Sequence, residues 1–427
     1  MNRQISIFLF FFLLIDTSFA QSQDFDQWFD GGVMRVDLMF SGTADESTYA
    51  FSGLRKEQYY SGSKRVLVDP FDYGDHKFEV RDAESGTLIF SYTYCTLFRE
   101  WQTTMEAKTV RRAYNHVLRF PWPKVTVKVE IFDRSWEGDF VSSWTGQFDP
   151  SSIYADPTKP ALFEIVELEI NGSPEEKIDI LFLAEGYTED EMDKFLADAE
   201  RSAGYIFSEE PFKSKRESFN IRAVKSISED SGTDIPGQSV WKNTIMNSSF
   251  FTFGIERYMT TMDYASVCDV ASNAHYDQIY ILVNTDKYGG GGMYNLYSIS
   301  AADNEASRAV VIHEFGHAFG GLADEYYNSA VAYTDFFNLN VEPWNPNLTT
   351  LVDFDTKWKE MLDKDTPIPT PREEKFEATT GVYEGGGYVA KDVYRPMIDC
   401  RMHTNEAAFC PVCADALVRM INRFTGQ

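Results

Sequence analysis

Residues 313–326 read HEFGHAFGGLADEY, and this run constrains the chain more than any other. His313 and His317 are four residues apart. On a helix that spacing sets two imidazoles on one face, one turn apart, where a single zinc ion can bridge them. Glu314 follows the first histidine and falls beside the open coordination position. A carboxylate there can take a proton from zinc-bound water and hand it to a leaving amine. The run therefore requires a helix with a polar face in a cleft, and it points to zinc-dependent peptide hydrolysis. The competing reading is a core helix carrying two satisfied histidines.

The flanks favour the metal. Upstream, ADNEASRAVV offers Asp303 or Asn304 as a helix cap, and Ala306, Ala309, Val310 and Ile312 form an apolar face leading into the run. Downstream, Gly320 and Gly321 end the helix where backbone with positive φ can turn sharply. The turned chain can bring a third ligand back to the metal. Asp324 is the expected one and Glu325 the alternative. A histidine pair, a helix-ending glycine and a ligand just past the turn form the metzincin arrangement. Metzincins usually carry that ligand six residues after the second histidine, which here is Ala323, so Asp324 lies one residue further on. A thermolysin-like site would instead need a glutamate on a later helix, for which Glu360 is the candidate.

Residues 1–20 read as a secretory leader. Arg3 supplies the positive start, ISIFLFFFLLI an apolar core of 11 residues, and SFA a small-x-small cleavage site ending at Ala20. That core is too short to span a bilayer, and no later segment is apolar enough to do so. The expected protein is exported, either secreted or held in the periplasm or at the cell surface. A formal charge of −27 argues against a nucleic-acid partner, whose phosphates it would repel. Carboxylates at this density suit calcium, but no loop is specific enough to assign a calcium site. Five cysteines leave at least one unpaired. Cys95 and Cys268 are isolated and expected to be buried. Cys400, Cys410 and Cys413 cluster around His403, a spacing compatible with a disulfide or with a structural zinc.

Residues 21–155 alternate with period two. Met34, Val36, Leu38 and Phe40 interleave with Arg35, Asp37 and Met39, and Val125, Val127, Val129 and Ile131 share one face. Turn residues separate such runs, the pattern of an antiparallel sandwich. His76 and His116 have no ligand-spaced neighbours and are placed on the surface. A Pro-rich stretch, 149–161, reads as a linker. Beyond it the pattern is mixed: KIDILFLAE, FNIRAVKSI and QIYILVN as strands, with an acidic helix from Glu189 to about Ala203 after the first. Gly289 to Gly292 read as a mobile connection. The run from Met293 to Ser300 reads as an edge strand forming the rim of the cleft, along which an extended peptide would add as a further strand.

Several segments together resemble the IgA-peptidase family of zinc metallopeptidases. They are HEFGHAFGGLADEY, EDSGTDIPG (229–237), NSSFFTFG (247–254), YDQIYILVNTDKYGGGGMYN (276–295) and FCPVC (409–413). DAESGTLIFSYTY and FREWQTT resemble the family's N-terminal β domain. The resemblance implies an α+β fold: an N-terminal antiparallel β-sandwich over 21–155, then a metzincin-like α/β zinc peptidase domain over 156–427. It implies one catalytic zinc held by His313, His317 and Asp324, with Glu314 as base. It also implies a methionine in a tight turn beneath the metal, Met402 first and Met397 second. The oxyanion donor would come from Tyr394, His403 or Tyr326. The implied activity is endopeptidase action on protein or peptide substrates, with IgA itself not established as one. Two other readings remain open at this level: a surface or glycan-binding protein with a vestigial zinc site, and a zinc amidase acting on cell-wall peptides.

Overall fold

The computed structural model describes residues 24–327 and 337–426, so the expected leader and its cleavage site lie outside the described residues. A short helix, α1 (Phe25–Trp28), leads into seven strands: β1 (Phe29–Gly42), β2 (Ser47–Glu57), β3 (His76–Asp82), β4 (Leu88–Tyr94), β5 (Arg112–Pro123), β6 (Val127–Arg134) and β7 (Phe140–Phe148). Helix α2 (Leu97–Gln102) bridges β4 and β5. Strands β5, β1 and β2 form one antiparallel sheet and β4, β3, β6 and β7 the other. The alternation read from the sequence holds: Met34, Val36, Leu38 and Phe40 are buried facing Phe78, Val80, Val129 and Ile131. The Pro-rich stretch contributes β8 (Ala155–Asp156), parallel to the edge of β2.

Two histidines depart from expectation. His76 and His116 lie in the sandwich core rather than on the surface. His76 is satisfied on both ring nitrogens, by Asp133 at 2.8 Å and Thr96 at 3.0 Å. His116 stacks on Tyr94, 4.8 Å between centroids, and burial holds its pKa well below the usual range, so it stays neutral. An imidazole with partners or a stacking face buries cheaply, and ligand spacing says nothing about that.

A third sheet, outside the sandwich, has six strands in the order β13-β14-β12-β10-β11-β9. They are β9 (Ile165–Glu169), β10 (Ile178–Glu185), β11 (Phe219–Val224), β12 (Gln278–Val283), β13 (Gly290–Met293) and β14 (Tyr297–Ala301). Strands β11, β10, β12 and β14 run parallel, and every residue of β10 and β12 is buried, as their apolar runs require. Ile180 and Phe182 face helices α3 (Met192–Ile206), α5 (Ser307–Gly320) and α6 (Pro411–Thr425). Leu181 and Leu183 face the other way, toward α4 (Tyr264–Ala271) and a core continuous with the sandwich. A small hairpin, β15 (Tyr383–Gly386) and β16 (Val389–Arg395), precedes α6. Among the described residues no helix is long and apolar enough to cross a membrane.

The expected edge strand from Met293 to Ser300 is two strands. Asn295 adopts a left-handed conformation, φ 53°, and turns the chain between β13 and β14. The glycine run is thus itself the edge strand, and Tyr297–Ala301 lies inside the sheet between β13 and β12. Close packing explains the glycines. A Cβ on Gly292 would stand 2.3 Å from the Glu314 carbonyl oxygen, and one on Gly290 would stand 3.0 Å from Glu314 Oε1.

Candidate active site

Helix α5 carries the histidine pair. Asn304 Oδ1 accepts from the Ala306 amide at 2.9 Å just before its first turn. Gly321, at φ 63°, ends it with its amide bonded to the His317 carbonyl. His313 Nδ1 lies 2.9 Å from the Arg401 carbonyl oxygen, and His317 Nδ1 lies 2.6 Å from that of Leu322. A carbonyl can only accept, so both Nδ1 atoms carry a proton, and in the neutral form of each ring Nε2 keeps a lone pair. Those two Nε2 atoms point at one another, 3.0 Å apart. The turn after Gly321 brings in Asp324, whose Oδ1 is 3.0 Å from His313 Nε2 and 3.4 Å from His317 Nε2.

This set of donors fits a metal. With both rings neutral, Asp324 Oδ1 is buried without a hydrogen-bond donor and faces two lone pairs. Three converging acceptors repel unless a cation lies among them. A tetrahedral zinc with bonds of about 2.0 Å spaces its ligands about 3.3 Å apart, close to the separations found. Without a metal the charge is met by protonation. Burial opposes a charge on His317, but Asp324 outweighs it and pushes the pKa up to about 9. Burial likewise works to raise Asp324, yet the two histidines hold it well below the usual carboxylate range. Glu314, one residue after His313, has its pKa raised by burial, with the neighbouring histidines pulling the other way.

The model of the family described as IgA Peptidase M64 matches residues 166–380 and 372–421, and that of the Peptidase M64 N-terminus matches residues 24–145. The chain belongs to the IgA Peptidase M64 family. It is therefore a metallopeptidase, with a peptide as substrate. No individual curated protein matches it.

In this M64 chain the histidines, Glu314 and Asp324 open on a cleft of about 350 Å³. Residues of α5 and β13 line it, together with Arg257, Tyr326 and Tyr388. The opposite wall comes from the sandwich: Thr96, Arg99, Arg134 and Trp136. Sequence reasoning assigned that region no part in the cleft, since distant strand ends meet here only through the docking of the sheets. It also missed Tyr388, whose hydroxyl donates to Asp324 Oδ2. The glycines at 385–387 signal a tight turn there but not what the turn presents.

Other expected residues fall elsewhere. Glu325 turns away from the histidines, fully buried against Cys400, Cys410 and Cys413, so it is not the third member of the histidine group. Successive residues of an extended segment face opposite ways, and Asn347 fixes this one by pairing with both backbone groups of Ala323 and with Glu325 Oε1. Glu360 is exposed and lies outside the cleft. Of the three expected oxyanion donors only Tyr326 lines the cleft, its hydroxyl 3.4 Å from Arg257. Tyr394 pairs through its backbone with Thr349, and His403 lies 3.3 Å from Asp399. Met402, in the turn after Cys400, is fully buried under α5; a Cβ on Gly316 would come within 2.9 Å of its sulfur. Met397 packs at the margin of the same core.

Proposed function

We propose that this chain is an exported zinc endopeptidase that hydrolyses bonds within extended polypeptides. The observation that carries the reading is the convergence of His313 Nε2, His317 Nε2 and Asp324 Oδ1 at the base of a cleft beside Glu314. In this reading those three side chains hold one zinc, and residues 156–427 form the catalytic part, with 21–155 accessory. The leader at residues 1–20 directs export, with cleavage near Ala20. A bound zinc supplies Lewis acidity, polarising a carbonyl and lowering the pKa of water. The rest is done by the chain.

Glu314 is the proton shuttle. Its carboxylate takes a proton from the attacking water and delivers it to the departing amide nitrogen, and a pKa raised by burial brings it nearer the working pH for both transfers. Tyr326, beside Arg257, donates to the oxygen that gains charge as the carbonyl becomes tetrahedral. The Arg401 and Leu322 carbonyls fix the tautomer of each histidine. Met402 forms the apolar floor beneath the helix at Gly316. Peptide lies along the Gly291 to Met293 portion of β13, since Gly290 already pairs with Tyr258.

Glu314→Ala is expected to retain zinc and lose roughly 10²–10⁴-fold in turnover. His317→Ala is expected to lose the metal. Incubating the zinc-loaded protein with a mixed proteome, with and without chelator, and mapping new termini by mass spectrometry identifies the cleaved bonds. Undiminished, chelator-insensitive cleavage by Glu314→Ala would reject the mechanism.

A further inference from the structure

Behind the turn that carries Asp324, three cysteines and one carboxylate converge. Cys400 lies in the turn before α6, Cys410 caps that helix, Cys413 sits in its first turn, and Glu325 comes from the segment after α5. One donor atom from each lies within 4.8 Å of the others, and all four residues are buried. The sulfurs of Cys400 and Cys413 are 3.7 Å apart, and Cys413 Sγ is 3.2 Å from Glu325 Oε1. A disulfide needs about 2.05 Å between sulfurs. Two thiolates bound at about 2.3 Å to a tetrahedral zinc stand about 3.8 Å apart.

The carboxylate provides a second, independent sign. Glu325 Oε2 is buried with no hydrogen-bond partner, while Oε1 receives the Asn347 amide at 3.0 Å. A carboxylate buried beside three cysteines is costly to desolvate unless a proton or a cation compensates it. The sulfurs also accept backbone amides, as thiolates do: Cys400 Sγ from Cys410 at 3.3 Å, and Cys410 Sγ from Cys413 at 3.4 Å. Cys410 lies at the positive end of α6, which favours its ionised form. His403, whose spacing suggested a ligand, lies by Asp399 and outside the cluster.

We propose that Glu325, Cys400, Cys410 and Cys413 bind a second, structural zinc ion, distinct from the one assigned to the histidines. Three thiolates and a carboxylate around a divalent ion carry the same net charge as a four-cysteine zinc site, and borderline-soft zinc suits sulfur donors. The ion ties the segment after α5 to the segment before α6. Those segments also meet where the Glu325 amide donates to the Met402 carbonyl at 2.7 Å. The same two segments supply Asp324 and the Arg401 carbonyl that orients His313. The clamp therefore sets the spacing of the catalytic ligands while sharing none of them.

The test is metal and thiol accounting on the full chain, purified with zinc and without reductant. Wild type is expected to hold two zinc ions per chain and His317→Ala one. X-ray absorption on His317→Ala should show zinc bound to sulfur at about 2.3 Å. Denatured with chelator and no reductant, wild type should titrate all five thiols. Only three titratable thiols would mean a disulfide and overturn the proposal, as would a His317→Ala protein without zinc. This second site does not depend on the catalytic reading. Wild type with one zinc on nitrogen and oxygen alone would sink the clamp and leave the peptidase. Wild type with one sulfur-bound zinc, unchanged in His317→Ala, would do the reverse.

Discussion

Asp324 is gripped from two sides. Its Oδ1 faces the histidines, and its Oδ2 accepts from the Tyr388 hydroxyl. A hydrogen bond to the distal oxygen fixes which oxygen a metal meets, and loss of such a partner typically weakens metal binding 10–100-fold. Tyr388→Phe is thus expected to raise the zinc dissociation constant by roughly that factor, measured by competition with a chromophoric chelator, with activity recovering in excess zinc. Tyr326→Phe should behave differently: on the proposed mechanism it removes a transition-state donor, giving unchanged zinc affinity and a kcat lower by roughly 10²-fold. At this scale the site was half legible. Histidines four apart on one helix carry their geometry in their spacing. Asp324 and Glu325 are neighbours of the same chemical type, and their opposite facings depend on Asn347, a side chain more than twenty residues away that no local pattern marks.

At the scale of elements, the strands read correctly were those whose side chains announce burial, by alternation in β1 and by a continuous apolar run in β10. Strand β13 has almost no side chains to show a period, so its glycines suggested mobility where the fold uses them for contact with α5. Gly292→Ala tests this. A Cβ 2.3 Å from the Glu314 carbonyl must push β13 off the helix, an overpacking cost of about 1–3 kcal/mol. The expected result is a lower thermal midpoint with reduced turnover. An unchanged midpoint would mean the strand is free to move. The segment around Pro343 and Asn345 is tied down by Lys357, which donates to both carbonyls, to Asn345 at 2.8 Å. Burial lowers its pKa from 10.5 to about 8. The unfolded chain therefore binds more protons between those values, and the folded state gains stability as pH rises from 8 toward 10.5. In urea titrations at about pH 7.5 and about pH 9.5, the stability of wild type relative to Lys357→Met should grow with pH. A flat difference would mean the ammonium is solvated.

Across the whole molecule, the sandwich and the six-stranded sheet share a core rather than meeting at a thin linker. Leu181, Ile281 and Val267 belong to the same buried cluster as Phe40 and Val129. Period two identified the sandwich but does not say what covers its polar face. Arg35 lies on that face and is 1% exposed, because α4 covers it. Its guanidinium pairs with Asp37 and Asp269, both at 2.6 Å, and with Glu57 at 3.4 Å, so one buried cation joins two strands of the sandwich to the helix beneath the six-stranded sheet. Such docking arises between faces far apart in the chain, and no window of sequence contains it. The consequence is cooperative unfolding. A chain with one core should lose the tertiary signal of its sandwich tryptophans and its peptidase activity at one denaturant concentration. Arg35→Met removes the cation and leaves the carboxylate of Glu57 buried beside Arg119 alone. Breaking a buried ion cluster this way costs about 3–5 kcal/mol. Both midpoints should therefore fall together, although Arg35 is remote from the histidines. If activity instead survives at denaturant concentrations where the sandwich has already melted, the sandwich is an independent appendage, and the wall it contributes to the cleft is dispensable for catalysis.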